Sequence, residues 1–179
     1  MRVVLLSIPV LLMGLTTQVS AQALPAAARS ARVQIGVGAS FAKPDFTDAT
    51  IKGISLYGSI DVGKHIGIDG EVHDMKLFTP RDVGESSYLL GLRYGIPEKR
   101  FYPYAKVLAG LGSFSFQKGY FPRNSASTHK IYALGAGLDY SASRRINIRV
   151  IDLEFQRWPG YGPHGLTPLV ATFGLAYAF

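Results

Sequence analysis

The 179-residue chain contains no cysteine and a single tryptophan. Without cysteine the fold can use no disulfide, and C-x-x-C redox chemistry and thiolate metal sites are excluded. After its first 15 residues the chain also lacks any long apolar run, so no later segment can cross a bilayer as a helix, which needs about 20 apolar residues. If the mature chain is integral to a membrane, it must cross as a β-barrel, because only helices and closed barrels satisfy every backbone amide in lipid.

Acidic residues are scarce, with 12 Asp and Glu against 19 Lys and Arg. The basic residues are scattered singly along strands and turns, so the excess does not indicate nucleic-acid binding. Basic groups near lipid phosphates are the simpler account. No metal-ligand spacing is present, and the glycines recur at strand period rather than in a phosphate loop. We therefore expect no cofactor, no metal and no nucleic-acid partner.

The N-terminus has the organisation of a secretory signal peptide. Arg2 precedes an apolar run over 3–15, and Ala21-Gln22-Ala23 fits an A-x-A cleavage site. A retained anchor is the alternative, but the apolar run is short for a transmembrane helix. We predict a signal peptide over 1–23, a flexible lead-in over 24–30 and one domain over 31–179.

The segment 169–179 shows the pattern that organises the domain. Leu169, Phe173, Leu175, Tyr177 and Phe179 share one parity, and mostly small residues occupy the other. This period of two predicts a strand. A continuous bulky face opposite a small one is typical of a strand between lipid and a narrow lumen.

Seven earlier segments alternate in the same way, which predicts an all-β, eight-stranded antiparallel up-and-down transmembrane barrel. The connections are long after strands 1, 3, 5 and 7 and short after the others, as expected for outer loops and periplasmic turns, with both termini periplasmic. Strand 7 keeps its phase only if a β-bulge lies near Val150-Ile151. The predicted strands are 31–42, 53–62, 65–78, 87–95, 101–116, 129–140, 146–156 and 169–179.

Aromatic residues collect at both ends of these strands, which favours a membrane barrel over a soluble lipocalin-like one. We predict one girdle at the turn end, formed by Tyr94, Tyr102, Tyr140 and Phe179. We predict the second girdle at the loop end, formed by Phe41, Phe78, Phe116, Phe155 and Trp158.

The chain resembles the OmpA-like and opacity-type eight-stranded outer-membrane barrels. The resemblance is carried by 137–140 (GLDY), 152–156 (DLEFQ) and the terminal 177–179 (YAF), with 103–104 (PY) before 110–112 (GLG). One departure is Asp152, where the family commonly has Arg. The resemblance implies bacterial outer-membrane localisation and an assembly signal, recognised by the barrel-assembly machinery, at Phe173, Leu175, Tyr177 and Phe179.

The resemblance also raises enzymatic activity, because some such barrels modify lipid A through a lipid-facing His, Ser and acid. None of the four histidines has the H-x-S spacing of the deacylases, so we predict that the chain is not an enzyme. Outer-membrane lipid and lipopolysaccharide are the expected surroundings of a monomer.

The inward parity carries charges of both signs on strands 2 to 7. These charges either brace a solid lumen or form a gate or narrow conduit, and the narrow interior of eight strands favours bracing. The predicted lumen network is Asp61, Asp69, Glu71, Arg93, Lys106, Asp139, Arg149, Asp152 and Glu154.

Two loops mix aromatic residues with arginine, a composition that suits either partner binding or interfacial anchoring. The candidate recognition residues are Tyr120, Phe121, Arg123, Arg157, Trp158 and Tyr161. The function that we predict is a structural, envelope or surface-interaction role through these loops, with a narrow solute channel as the alternative.

Overall fold

Strict alternation of side chains produces eight strands that close on themselves. The computed structural model describes residues 32–43, 45, 50–75, 83–116, 127–160 and 165–179. Each strand pairs antiparallel with its neighbours in sequence, and β1 pairs with β8 from Lys43↔Leu169 to Gln34↔Ala178. The strands are β1 (Arg32–Lys43), β2 (Ile51–Asp61), β3 (Ile66–Asp74), β4 (Val83–Gly95), β5 (Phe101–Phe116), β6 (Ser127–Ser141), β7 (Ile146–Arg157) and β8 (Leu169–Ala178).

The predicted all-β, eight-stranded, up-and-down barrel is therefore confirmed. β5 has the predicted bounds, and most other ends differ from prediction by one or two residues. β3 and β4 depart most, by four residues each: β3 ends at Asp74 rather than at the predicted position 78, and β4 begins at Val83 rather than at the predicted Ser87. The predicted signal peptide and lead-in lie outside the described residues.

No helix in the described part of the chain is both long and apolar enough to cross a membrane.

The predicted β-bulge lies at the expected place on β7. Leu138 pairs with Ile151 and Asp139 pairs with Arg149, so Val150 is the extra residue. Val150 is 40% exposed, whereas Arg149 and Asp152 on either side of the bulge are 2% and 1% exposed. The bulge therefore keeps both charged side chains inside the barrel, where the narrow lumen can pair them.

The barrel has an apolar outside and a polar inside, the reverse of a soluble domain. Leu90, Val107 and Leu134 on the outer face are 62–63% exposed, whereas Asp69, Arg93 and Lys106 in the lumen are 0–2% exposed. Exposed apolar surface of this extent is unfavourable in water. The outer face is thus built for contact with lipid.

The lumen has two differently filled halves. Charged and amide side chains fill the half nearer the short turns. Apolar side chains fill most of the half nearer the long connections, in two clusters. The first cluster comprises Leu89, Leu108, Ile131, Ala133, Trp158 and Leu166, and the second comprises Ala42, Ile51, Met75 and Val170.

Candidate functional site: the barrel lumen

Lys106 is the centre of the lumen. Lys106 Nζ lies 2.6 Å from Glu71 Oε1, 2.6 Å from Glu154 Oε1 and 2.9 Å from Asp152 Oδ2. These carboxylates come from β3 and β7, on opposite sides of β5 across the lumen. Because Lys106 is 2% exposed, water does not screen these interactions, and one ammonium ties three strands together.

Arg149 forms a second centre beside Lys106. Arg149 Nη1 lies 2.6 Å from Glu71 Oε1 and 3.4 Å from Asp152 Oδ2, and Arg149 Nε lies 3.5 Å from Asp139 Oδ1. Its guanidinium carbon also lies 3.7 Å from the centre of the Tyr57 ring. An aromatic face attracts a cation in a site without water. Tyr57 is therefore part of the network, although it carries no charge.

Arg93 extends the network toward the short turns. Arg93 Nη2 donates to Asp139 Oδ2 at 2.7 Å and Nη1 donates to Asp69 Oδ2 at 3.4 Å. Its guanidinium carbon lies 3.8 Å from the centre of the Tyr104 ring, and the Tyr104 hydroxyl donates to Asp152. Arg93 and Arg149 are thus linked through both shared carboxylates and shared aromatic rings.

An uncharged layer lies at the turn end, below these charges. Gln34 Nε2 donates to Ser59 Oγ at 2.8 Å, and Asn147 Nδ2 donates to Gln34 Oε1 at 2.7 Å. Gln34 Nε2 also lies 3.5 Å from Asp139 Oδ2. These side chains join β1, β2, β6 and β7 and continue the hydrogen-bond network from the charged layer to the barrel end.

The structure brings eight of the nine predicted lumen residues into one network. Asp61 is the exception, because it is half-buried near the barrel end and forms no ion pair among the described residues. Within the network, Arg93, Lys106 and Arg149 face five carboxylates, those of Asp69, Glu71, Asp139, Asp152 and Glu154. The five acids outnumber the three Lys and Arg side chains by two (5 − 3 = 2), and each of these cations contacts at least two of the acids.

Sequence reasoning missed His73, which stands above the charged layer. His73 Nε2 lies 3.3 Å from Glu71 Oε2 and 3.7 Å from Glu154 Oε1, and Nδ1 lies 3.3 Å from Ser40 Oγ. Ser40, His73 and Glu71 thus have the order of a nucleophile, base and acid. However, Ser40 is 0% exposed and its Oγ lies 2.8 Å from Thr172 Oγ1. The trio has no surface that a substrate could reach.

Glu71, His73 and Glu154 also have ligand atoms within 4.8 Å of one another, close enough in principle for one metal ion. Lys106 Nζ argues against this use, because it lies 2.6 Å from a carboxylate oxygen of each glutamate. The ammonium therefore already supplies the positive charge that a metal would bring. The residues fit an ion-pair network better than a metal site.

The position of Trp158 shows that two of the sequence predictions are wrong. It was expected in the loop-end girdle and as a recognition residue, but it is 0% exposed and lies inside the barrel in the apolar cluster. Its Nε1 donates to Gln156 Oε1 at 3.1 Å. A Cβ at Gly112 would overlap the Trp158 ring, so this glycine on β5 makes the room for the indole. Trp158 therefore fills the lumen.

Tyr102 corrects a third prediction, because it faces the lumen and not the turn-end girdle. The guanidinium carbon of Arg93 lies 4.8 Å from the centre of its ring. The alternation of side chains in the sequence already indicated the inward positions of Tyr102 and Trp158. Tyr102 shares the parity of Lys106, and Trp158 shares that of Asp152 and Glu154, so continued alternation directs both rings inward.

The other described girdle residues lie on the outer face. At the turn end Tyr94 and Phe179 are exposed, and the Tyr140 ring lies 5.2 Å from that of Phe101. At the loop end Phe41 and Phe155 are 36% and 53% exposed. Phe78 and the side chain of Phe116 lie outside the described residues. Phe173, Leu175 and Tyr177, predicted to belong to an assembly signal, lie on the outer face of β8 with exposures of 43–57%.

Of the candidate recognition residues, the structure describes Arg157 and Trp158. Arg157 is exposed at the end of β7 and Trp158 is buried beside it. Tyr120, Phe121, Arg123 and Tyr161 lie outside the described residues. The structure therefore leaves the loop-recognition hypothesis for these four residues as a prediction.

A closed antiparallel barrel with an apolar outside and an ion-paired lumen defines a class, the transmembrane β-barrels. The family model for the outer membrane protein β-barrel domain matches residues 10–179. The chain belongs to this family, and it is a bacterial outer-membrane barrel.

Solved structures give the same fold. The attachment invasion locus protein Ail of Yersinia pestis, solved with the heparin analogue sucrose octasulfate, is 18% identical with a TM-score of 0.56, covering 83% of this chain and 99% of Ail. Neisserial surface protein A is 14% identical with a TM-score of 0.60, covering 83% and 97%. OprG of Pseudomonas aeruginosa is 13% identical with a TM-score of 0.60, covering 83% and 96%. No curated protein sequence matches the chain significantly.

Proposed function

We propose that the protein acts at the envelope surface through its long connections, as a monomer with a closed lumen. The observation that carries this proposal is that buried, mutually bonded side chains occupy the described lumen at three successive levels. Gln34 and Asn147 close the turn end, the bridged charges around Lys106 fill the middle, and the cluster around Trp158 fills the other end. An interior filled in this way supports the surface connections mechanically and leaves no path for solutes.

A narrow channel is the alternative function. The same charges could pass small ions intermittently if pairs such as Arg149–Asp152, at 3.4 Å, exchanged partners. Two features weigh against steady transport. Every cation is shared by several acids, and the apolar cluster lies in series with the charges. An enzymatic role has less support, because the Ser40–His73–Glu71 group is buried.

We also propose that the long connections face the cell exterior and that both ends of the barrel domain face the periplasm. The turns over 62–65, 96–100 and 142–145 are short, whereas 44–50, 75–82, 117–126 and 158–168 are longer. Short turns are periplasmic and longer loops are extracellular in outer-membrane barrels of this kind. The barrel-assembly machinery would then meet the outer face of β8, with Phe173, Leu175, Tyr177 and Phe179, during insertion.

Single-cysteine labelling tests this orientation, because the chain has no cysteine of its own. Pro159→Cys is at a long connection and Arg144→Cys is in a short turn, and both positions are exposed. In intact cells, a membrane-impermeant maleimide should label Pro159→Cys at once and Arg144→Cys only after the outer membrane is permeabilised. The reverse order would contradict the orientation.

Solute flux separates the surface role from the channel role. Liposomes that contain the refolded protein should swell in an isotonic pentose solution no faster than liposomes without protein, and liposomes with a general porin serve as the positive control. In parallel, cells lacking the protein should recover envelope integrity or surface attachment with the wild type but not with a variant whose connection 117–126 is replaced by a short Gly-Ser turn. Rapid swelling, or full function of the shortened variant, would contradict the surface role.

A further inference from the structure

The outer face of the barrel carries an unequal distribution of charge near the long connections. On each strand the outward side chains are apolar from the turn end upward, until a first polar residue is reached. That residue is Lys43 on β1, Lys52 on β2, Lys130 on β6 and Arg157 on β7, and all four are exposed. We call these four residues the basic arc.

The remaining strands do not continue the basic arc. At the corresponding positions β3, β4 and β5 present Asp74, Ser86 and Ser113, of which Asp74 pairs with Ser86 in register. The outward face of β8 is apolar up to Leu169. In the described part of the chain, basic residues at this level are therefore confined to five contiguous strands of the closed barrel, β6, β7, β8, β1 and β2, and are absent from β3, β4 and β5.

Strand register brings the arc together around Leu169. Leu169 pairs with Lys43 on one side and with Phe155 on the other, and Arg157 is the next outward residue after Phe155. Lys52 pairs with Phe41, next to Lys43, and Arg157 pairs with Tyr132, next to Lys130. The arc thus consists of two basic pairs, one on each side of β8. One pair is Lys43 and Lys52, and the other is Lys130 and Arg157. From β2 to β6 the arc covers four of the eight strand spacings around the closed barrel, which is about 19 Å along the curved wall at about 4.8 Å each.

Apolar and aromatic side chains lie directly beside and below the arc. Leu169, Phe155 and Phe173 are 44–53% exposed there, and the Phe41 ring meets the Phe173 ring edge-on with centres 6.2 Å apart. The surface therefore joins a row of positive charge to a broad lipid-facing aromatic surface. It complements an amphiphile whose headgroup is anionic and whose acyl chains run down the barrel wall.

The positive charge of the arc is available for a ligand. Among the described residues, none of the four basic side chains forms an ion pair within 4 Å. The acid nearest to Lys43 along the described chain is Asp45, and its carboxylate accepts hydrogen bonds from the backbone N–H of Thr167, at 2.6 Å, and from the Thr167 hydroxyl. With Asp45 and with Asp74, which pairs with Ile54 next to Lys52, both counted, the arc keeps a net charge of +2 (4 − 2).

We propose that the basic arc binds the phosphorylated glycolipid of the outer leaflet, the lipid A part of lipopolysaccharide. Lys43 and Lys52 would hold one phosphate, and Lys130 and Arg157 would hold the phosphate at the other end of the disaccharide. The acyl chains would lie on β8 and its neighbours. A phospholipid has a single phosphate and fewer chains, so it would engage one pair and leave the other. This site rests on the proposed orientation, which places the arc at the outer leaflet.

The test measures lipid binding by native mass spectrometry of the refolded protein in an uncharged detergent. Diphosphoryl lipid A is titrated against the wild type, the arc variant (Lys43, Lys52, Lys130 and Arg157 all replaced by Gln) and a control variant. The control replaces Arg32, Lys64, Arg144 and Arg145 by Gln, which removes the same charge from exposed positions at the turn end. Heat-modifiability gels establish that every variant is folded.

Each basic residue near an anionic lipid surface contributes roughly a fivefold factor in affinity. We expect the arc variant to bind lipid A at least about tenfold more weakly than the wild type, and the control variant to bind within about twofold of it. The two pair variants, Lys43/Lys52 and Lys130/Arg157, should each show an intermediate loss, and they replace the arc variant if it fails to fold.

Three results would overturn the proposed site. The first is that the arc variant binds lipid A as tightly as the wild type does. The second and third are that the wild type binds dephosphorylated lipid A, or phosphatidylglycerol, as tightly as diphosphoryl lipid A; in the case of phosphatidylglycerol, this would indicate a site for any anionic lipid. Failure of the proposed orientation would be recognised separately, by labelling of Arg144→Cys in intact cells, because binding in detergent does not depend on orientation.

Discussion

Replacing Lys106 by methionine tests the lumen network at its most connected point. The change keeps a long unbranched side chain and removes the ammonium, so the cavity stays filled. Glu71, Asp152 and Glu154, which lie 2.6–2.9 Å from Nζ, would then lose a shared cation. Arg149 still reaches Glu71 and Asp152, at 2.6 and 3.4 Å, whereas no other Lys or Arg among the described residues lies within 4 Å of Glu154, which keeps His73 and Gln156.

Removing one partner of a buried ion pair typically costs 3–5 kcal/mol, because a charge is left buried without compensation. We expect Lys106→Met to lower the free energy of unfolding by about 3–5 kcal/mol. Lys64→Met, at an exposed position of a short turn, is the matched control and should change stability by about 0.5 kcal/mol or less.

A second change identifies the cause of the loss. Because Glu154 is left with the fewest partners, Glu154→Gln should restore part of the stability of Lys106→Met, with a coupling of about 0.5–3 kcal/mol between the two sites. Urea titrations in lipid vesicles, followed by gel mobility, measure the unfolding of the wild type, Lys106→Met, Glu154→Gln, the double variant and the Lys64→Met control. A cost below about 1 kcal/mol for Lys106→Met, or strict additivity in the double variant, would refute the view that Lys106 holds the acids together.

Three further predictions concern other parts of the barrel. Leu134→Arg puts a charge on the lipid-facing wall and should cost about 2–4 kcal/mol, whereas Thr128→Arg, on the same face at the strand end, should cost about 0–1 kcal/mol; equal costs in a urea titration would contradict the assigned face of β6. The fluorescence of Trp158, the single tryptophan, should resist quenching by brominated lipids and by acrylamide, because the indole is buried in the lumen. Strong quenching by the lipids would show that the indole faces the membrane, as a girdle residue does. Deleting Phe179 should lower the folded, heat-modifiable fraction in cells, and an unchanged fraction would argue against an assembly signal there.

The fold was predictable from the sequence because a barrel between lipid and a narrow lumen imposes one rule on every strand. Outward residues must be apolar, and inward residues must be small or able to pair. The rule was strong enough to predict a bulge near Val150-Ile151, because Arg149 and Asp152 could not otherwise both face inward, and the structure has Val150 as the extra residue. The ends of the strands were less predictable, because a residue near a connection joins a strand only if the neighbouring strand extends far enough to pair with it. β4, for example, extends beyond prediction to Val83, and this extension brings Glu85 into the lumen.

The members of the lumen network were also largely predictable, whereas their partners were not. The alternation of side chains alone assigns Lys106 and Glu71 to the interior. The carboxylates that Lys106 reaches depend on how β3 and β7 are aligned with β5, and neither of these strands is a neighbour of β5 in the barrel. Tyr57 and His73 were missed because a search for Asp, Glu, Lys and Arg passes over aromatic rings that contact a cation and imidazoles that contact a carboxylate. Tyr102 and Trp158 show that an aromatic residue near a strand end belongs to a girdle only when its parity is outward.

Planar-bilayer recording of the purified monomer tests the central claim, that the lumen is closed, most directly. Because bridged charges and an apolar cluster fill the interior in series, we expect no steady conductance under an applied voltage, and at most small, brief openings when ion pairs rearrange. A steady, large conductance from the wild-type monomer, comparable to that of a general porin in the same bilayer, would contradict the account.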